Sequence, residues 1–182
     1  AAGNIRDSTS DWAWRALWGP QARAVLQKIT ADDVSNEGFP YLSGRTVEIN
    51  GAQVWAQRVS YVGELGWELY IQPNRAVMVW DRLMEAGKDF GIEVGGYKVL
   101  DSLRLEKGYR YFTTDLTPTD TPYESGQGFC VQLDKGDFIG REALLQRKQE
   151  GISRKLCTLV VDDDAFTQIY GGEAVYCDGS VI

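Results

Sequence analysis

Ser60-Tyr61-Val62-Gly63-Glu64-Leu65-Gly66-Trp67-Glu68-Leu69-Tyr70-Ile71 is the stretch on which the reading of the chain turns. Gly63 and Gly66 permit the positive φ values of a compact turn, and the residues after them alternate with period 2. A strand that starts at Trp67 and ends at Pro73 puts Trp67, Leu69 and Ile71 on one face. Glu68 and Tyr70 then point the other way, toward solvent or a ligand. Glu64, in the turn itself, reads as a turn or surface residue.

Upstream, Trp12, Trp14, Ala16 and Trp18 share one face of an extended segment, and the expectation is that these tryptophans pack into a core. Gly19-Pro20 leads into a helix from about Gln21 to Ile29, making half of a βαβ unit. A polar loop from Thr30 to Gly44 precedes two strands, about Arg45 to Ile49 and Gln53 to Val59, joined across Asn50-Gly51, a strong hairpin signal. Downstream, Asn74 is a candidate N-cap for a helix from Arg75 to about Lys88, with an apolar stripe for a sheet face. A short strand near Ile92 to Val94 precedes a helix from Tyr97 to Lys107, with Gly108 in the C′ position. A long irregular connection from 109 to 128 leads to a strand near Phe129 to Leu133 and a helix from Arg141 to Gln149. Short strands, Leu156 to Val161 and Ala174 to Cys177, follow a boundary near Gly151. At Asp178-Gly179 a turn signal precedes what should be a new strand.

Composition narrows the chemistry. The 182 residues, 43% hydrophobic and 25% charged, suffice for a folded core. With no histidine, His-based acid–base chemistry and Ser-His or Cys-His nucleophile pairs are excluded for these residues. A net charge of −7 argues against general affinity for nucleic acid or anionic membrane, and no apolar run approaches the ~20 residues of a membrane span. Cys130, Cys157 and Cys177 are odd in number and widely spaced, without a C-x-x-C pair; they suggest a reducing, cytoplasmic compartment and no metal site.

Four motifs in register, Tyr61-Val62-Gly63-Glu64-Leu65-Gly66-Trp67-Glu68, Asp101-Ser102-Leu103-Arg104-Leu105-Glu106-Lys107-Gly108-Tyr109, Pro122-Tyr123-Glu124-Ser125-Gly126 and Lys135-Gly136-Asp137-Phe138-Ile139-Gly140-Arg141-Glu142-Ala143-Leu144, resemble the folate-binding aminomethyltransferase (glycine-cleavage T protein) family. The wording is most similar to the C-terminal folate domains fused to FAD-dependent sarcosine and dimethylglycine dehydrogenases or oxidases. The resemblance implies a tetrahydrofolate-binding, α+β aminomethyltransferase fold with ferredoxin-like βαβ elements over residues 1–150. The beginning of a small β-barrel is expected over 151–182, and the chain looks like a piece of a larger protein.

The implied function is capture of the methylene unit of an oxidised N-methylglycine-type amine, forming 5,10-methylenetetrahydrofolate. Tetrahydrofolate is the implied cofactor, and FAD belongs to a separate amine-oxidising domain or subunit. By resemblance Glu68 is the carboxylate that accepts two N–H bonds from the pterin edge, Tyr61 lines the pocket and Tyr109 contacts the ligand. No catalytic residue is assigned, because the family's proposed catalytic carboxylate lies upstream of the matched region, and the chain alone is expected to be inactive. Relatives of the glycine-cleavage type carry Arg immediately before Asp-Ser-Leu-Arg, where this chain has Leu100. Lys98 and Arg110 are alternative candidates for holding folate. Leu100 also favours an alternative in which the domain is a folate-independent regulatory or interaction module. A third reading, an RNA-modification or iron–sulfur assembly factor of the same fold, is disfavoured by the acidic charge.

Overall fold

A computed structural model describes residues 3–162, 167 and 169–181. The chain divides into two compact units, Ala1–Tyr111 and Phe112–Ile182.

The first unit is built on four strands, β1 (Ala13–Trp18), β2 (Gly44–Ile49), β3 (Ala52–Gln57) and β4 (Gly66–Ile71), in the order β1-β4-β3-β2. Every pairing in this sheet is antiparallel. β1 and β2 lie at opposite edges, so the strand–turn–helix run of residues 12–29 does not lead to an adjacent parallel strand. Asn50 and Gly51, at φ 49° and 78°, make the β2–β3 turn, as a two-residue hairpin with two positive φ values requires. The fold is α+β, with one sheet face covered by helices.

Alternation sorts the strands as expected of β4: Trp67, Leu69 and Ile71 are fully buried, while Glu68 and Tyr70 are half-buried on the other face. Leu17, Val54, Ala56, Val47 and Ile49 extend the inward face. Helix α1 (Ala22–Gln27) adds Ala22, Val25 and Leu26, and α2 (Ala76–Gly87) adds Ala76, Val79 and Leu83. Burying each valine, leucine or isoleucine of this set contributes roughly 1.5–3 kcal/mol. Phe39, from the loop before β2, lies 6.0 Å from the Trp67 ring and closes this core.

Trp12, just before β1, and the tryptophans of β1 are not core residues. Trp12 and Trp14 are 42% and 41% exposed and Trp18 is half-buried; Leu17, on the opposite face, is the one that goes inside. The cross-strand register explains this, because Leu17 lies opposite Trp67 whereas Trp14 lies opposite Tyr70. The face of Trp14 and Trp18 is therefore the one that carries Glu68, Tyr70 and Trp55.

Other local expectations change as well. Pro73 opens a 3-10 turn, Pro73–Arg75, so Asn74 does not cap α2. Residues 92–94 are not a strand; α3 (Tyr97–Glu106) follows directly. In the second unit Gly128–Cys130 is a 3-10 turn rather than a strand, α4 (Arg141–Glu150) forms as expected, and 156–161 is irregular. β5 (Tyr176–Cys177) pairs with β6 (Ser180–Val181) across Asp178-Gly179, the turn and new strand read from the sequence. No closed barrel is present among the described residues.

Gly66, at the start of β4, leaves no room for a side chain against β1. It pairs with Trp18, and a Cβ there would collide with the Leu17 carbonyl oxygen and lie 2.7 Å from Trp18 Cδ1. Relieving a backbone overlap costs about 1–3 kcal/mol. Gly66→Ala is expected to lower unfolding stability by about that amount in urea denaturation; an unchanged midpoint would show that the two strands can separate freely.

Candidate functional site

Glu68 occupies the middle of the sheet, opposite Ala16 of β1 and Gln57 of β3. Its carboxylate is held by two donors: Trp14 Nε1–H at 3.2 Å and the Tyr70 hydroxyl at 2.9 Å, both on Oε2. Oε1 accepts no hydrogen bond from a described residue. Burial, then the hydrogen bond and charge of Glu68, push the Tyr70 hydroxyl above its usual range, so Tyr70 remains a protonated donor near neutrality. Trp14 reaches Glu68 over the small side of Ala16 and meets Trp18 edge-on, with ring centroids 6.2 Å apart. The Trp18 indole N–H is fixed by the Val59 carbonyl at 3.0 Å.

Tyr61 and Tyr109 come together in a second cluster. The Tyr61 ring lies 6.4 Å from both Tyr109 and Tyr111, and its hydroxyl donates to the Arg110 carbonyl at 2.7 Å. Ser60 Oγ accepts from the N–H groups of Val62 and Glu64, shaping the turn that presents Tyr61. Glu64 pairs with Lys107 at 2.9 Å and so ties this turn to the end of α3. Glu68 makes no hydrogen bond to either tyrosine.

The end of α3 sets the other side of that cluster. Gly108, at φ 66°, donates to the Leu105 carbonyl and Tyr109 N–H to that of Arg104, each at 2.9 Å, a Schellman arrangement that turns the chain sharply. The Arg104 side chain is only 3% exposed. It pairs with Asp101 at 3.2 Å, donates to the Tyr109 carbonyl at 3.1 Å and sits 5.6 Å from the Tyr111 ring. A buried guanidinium needs such partners, and here they orient two of the tyrosines. Leu100 and Leu103 are both half-buried on α3, Lys98 is exposed and Arg110 is half-buried. Replacing Gly108 by Ala forces a side chain into the left-handed region at a cost of about 1–2 kcal/mol. The expected result is a matching stability loss with altered Tyr109 and Tyr111 ring shifts in NMR spectra; unperturbed rings would show that the cap does not place them.

In the second unit the Thr121-Pro122-Tyr123-Glu124 segment is a reciprocal cap. The Glu124 carboxylate accepts from Thr121 N–H at 2.9 Å and its hydroxyl at 2.8 Å, while Thr121 Oγ1 accepts from Glu124 N–H at 3.2 Å. Arg154 adds a bond at 3.0 Å and also pairs with Asp120 at 2.8 Å. The T-x-x-E spacing was a readable signal for this loop anchor. Thr121's donors, then Arg154, pull the Glu124 pKa down to about 2. Because the folded-state value lies below the unfolded one, its contribution to stability is present above about pH 4.5 and is lost as pH falls toward 2. Carboxyl-detected NMR should place the Glu124 midpoint near 2, rising in Thr121→Val; a midpoint at the ordinary glutamate value would contradict the cap.

A groove of about 930 Å³ in the second unit, lined by Tyr123, Leu133, Lys135, Leu145 and Lys148 among others, includes none of Tyr61, Glu68 or Tyr109. No helix among the described residues is long and apolar enough to cross a membrane.

These motifs and this fold have relatives. The family model described as the GCVT N-terminal domain matches residues 2–135. The chain belongs to the aminomethyltransferase family. This aminomethyltransferase-family chain is 40% identical over 177 residues to the mitochondrial sarcosine dehydrogenase of Homo sapiens, covering 97% of the chain and 19% of that protein. It is 37% identical over 180 residues to the mitochondrial dimethylglycine dehydrogenase of Homo sapiens, covering 98% of the chain and 21% of that protein. It therefore spans about a fifth of the length of these relatives. Among solved structures, the glycine cleavage system aminomethyltransferase T from Bartonella henselae superposes with a TM-score of 0.63 at 32% identity, over 78% of this chain and 38% of that one. The similarity bears out the aminomethyltransferase fold and the kinship with sarcosine and dimethylglycine dehydrogenases.

Proposed function

We propose that this chain is the tetrahydrofolate-binding part of a one-carbon transfer domain that captures the methylene unit of an oxidised N-methylglycine-type amine, yielding 5,10-methylenetetrahydrofolate. The observation that carries the reading is Glu68: a carboxylate held by two donors on an aromatic sheet face, with Oε1 left as an unclaimed acceptor. A pterin edge carries N–H donors on a flat ring, and exposed indoles at Trp14 and Trp55 suit such a ring. The donor set thus fits the group. When bound, tetrahydrofolate supplies the nitrogen that takes up the one-carbon unit. Glu68 orients the ring, while Tyr61 and Tyr109 border its site. The residues present assign no proton acceptor, so turnover requires the rest of the polypeptide and a flavin-dependent amine-oxidising domain or subunit.

Leu100 favours a second reading, a folate-independent regulatory or interaction module, because it supplies neither charge nor donor to an anionic ligand. The proposal of a reducing compartment such as the cytoplasm is supported by Cys130, Cys157 and Cys177, all exposed and unpaired.

Calorimetric titration of the natural polypeptide that carries this sequence, using a reduced folate, separates the two readings. Loss of a charge-assisted bond costs about 1.5–3 kcal/mol, so Glu68→Gln is expected to weaken binding roughly 10- to 100-fold. Equal affinity in the variant would remove Glu68 from the site, and no binding to the parent would favour the module.

A further inference from the structure

We propose that Trp14 and Tyr70 are positioning residues that commit Oε2 of Glu68 to the protein, so that a pterin-type ring is recognised through Oε1 alone. The inference rests on the folate reading above and refines it, since the sequence-based expectation was a two-oxygen grip.

The geometry is cross-strand. Trp14 and Tyr70 are directly opposite one another in the β1–β4 register, and Glu68 lies two residues along β4 from Tyr70. Both donors converge on one oxygen, at 3.2 and 2.9 Å. An sp² carboxylate oxygen has two lone-pair directions, so two donors saturate Oε2 and leave Oε1 with both of its own. Each donor is itself restrained. Trp14 abuts Trp18, whose indole is bonded to Val59, and Tyr70 is flanked by Trp14 and Trp55 in the register. Glutamate has three side-chain torsions, and ordering them in advance lowers the entropic cost of binding. The tryptophan on β1 is thus given a role, 54 residues away in sequence from the carboxylate it holds.

The test uses Trp14→Phe and Tyr70→Phe in the natural polypeptide, each removing one donor while keeping a ring. Reduced-folate affinity is measured by calorimetry, with unfolding stability recorded separately. Each variant is expected to weaken binding about 3- to 10-fold, and the effect of either should vanish in a Glu68→Gln background, since a positioning residue acts only through the group it positions. A readout without folate accompanies this: with tyrosine labelled at Cζ, the Tyr70 resonance should titrate at lower pH in Glu68→Gln than in the parent. Unchanged affinity, tighter binding on release of Oε2, losses that persist in the Glu68→Gln background, or an unmoved Tyr70 titration would each overturn the inference while leaving the folate reading standing. A parent polypeptide that binds no reduced folate would overturn both.

Discussion

The pairing of β1 with β4 through Gly66 is the constraint from which the first unit follows. Because Gly66 admits no side chain against Leu17 and Trp18, the two strands lie in one register, and that register decides which face every later residue occupies. A slip by one residue would carry Glu68 into the apolar layer and Trp67 into water. A stranded carboxylate and an exposed indole would both oppose it, so the hydrophobic face and the polar face enforce the same alignment.

Around that sheet, the polar groups are arranged by contacts distant in sequence. Glu64 reaches Lys107, Tyr61 reaches Arg110, and Arg104 gathers Asp101, Tyr109 and Tyr111 about a buried charge. Each tie joins the turn before β4 to the end of α3 or lies within that end. The aromatic cluster of Tyr61, Tyr109 and Tyr111 is therefore a product of two chain segments held at fixed separation. Neither segment forms it alone.

Much of this was legible in the residues themselves. The alternation in Trp67, Leu69 and Ile71, the turns at Asn50-Gly51 and Asp178-Gly179, and the Gly108 cap are local, and local rules read them correctly. The tryptophans of β1 were not readable in this way. Both faces of that strand carry apolar side chains, and only its pairing with β4 selects Leu17 for the interior. Residues 129–133 have the composition of a strand but find no pairing partner among the described residues, and Pro73 displaced Asn74 by imposing its own turn. At the candidate site, the sequence singled out Glu68 over Glu64 and named Tyr61 and Tyr109, whose rings lie 6.4 Å apart. The donors to Glu68 were hidden because hydrogen bonding across strands leaves no mark in sequence spacing.

The hold on Glu68 also has an evolutionary consequence. A carboxylate oriented by residues on its own and a neighbouring strand is not an independent character: what it presents is written at positions 14 and 70 as well as at 68. A lineage can retain the glutamate and still inherit a differently aimed acceptor through drift at Trp14 or Tyr70. If Glu68 recognises the ligand as proposed, selection on that recognition falls on the trio, and comparing residue 68 alone between relatives would miss a change in how the acceptor is aimed.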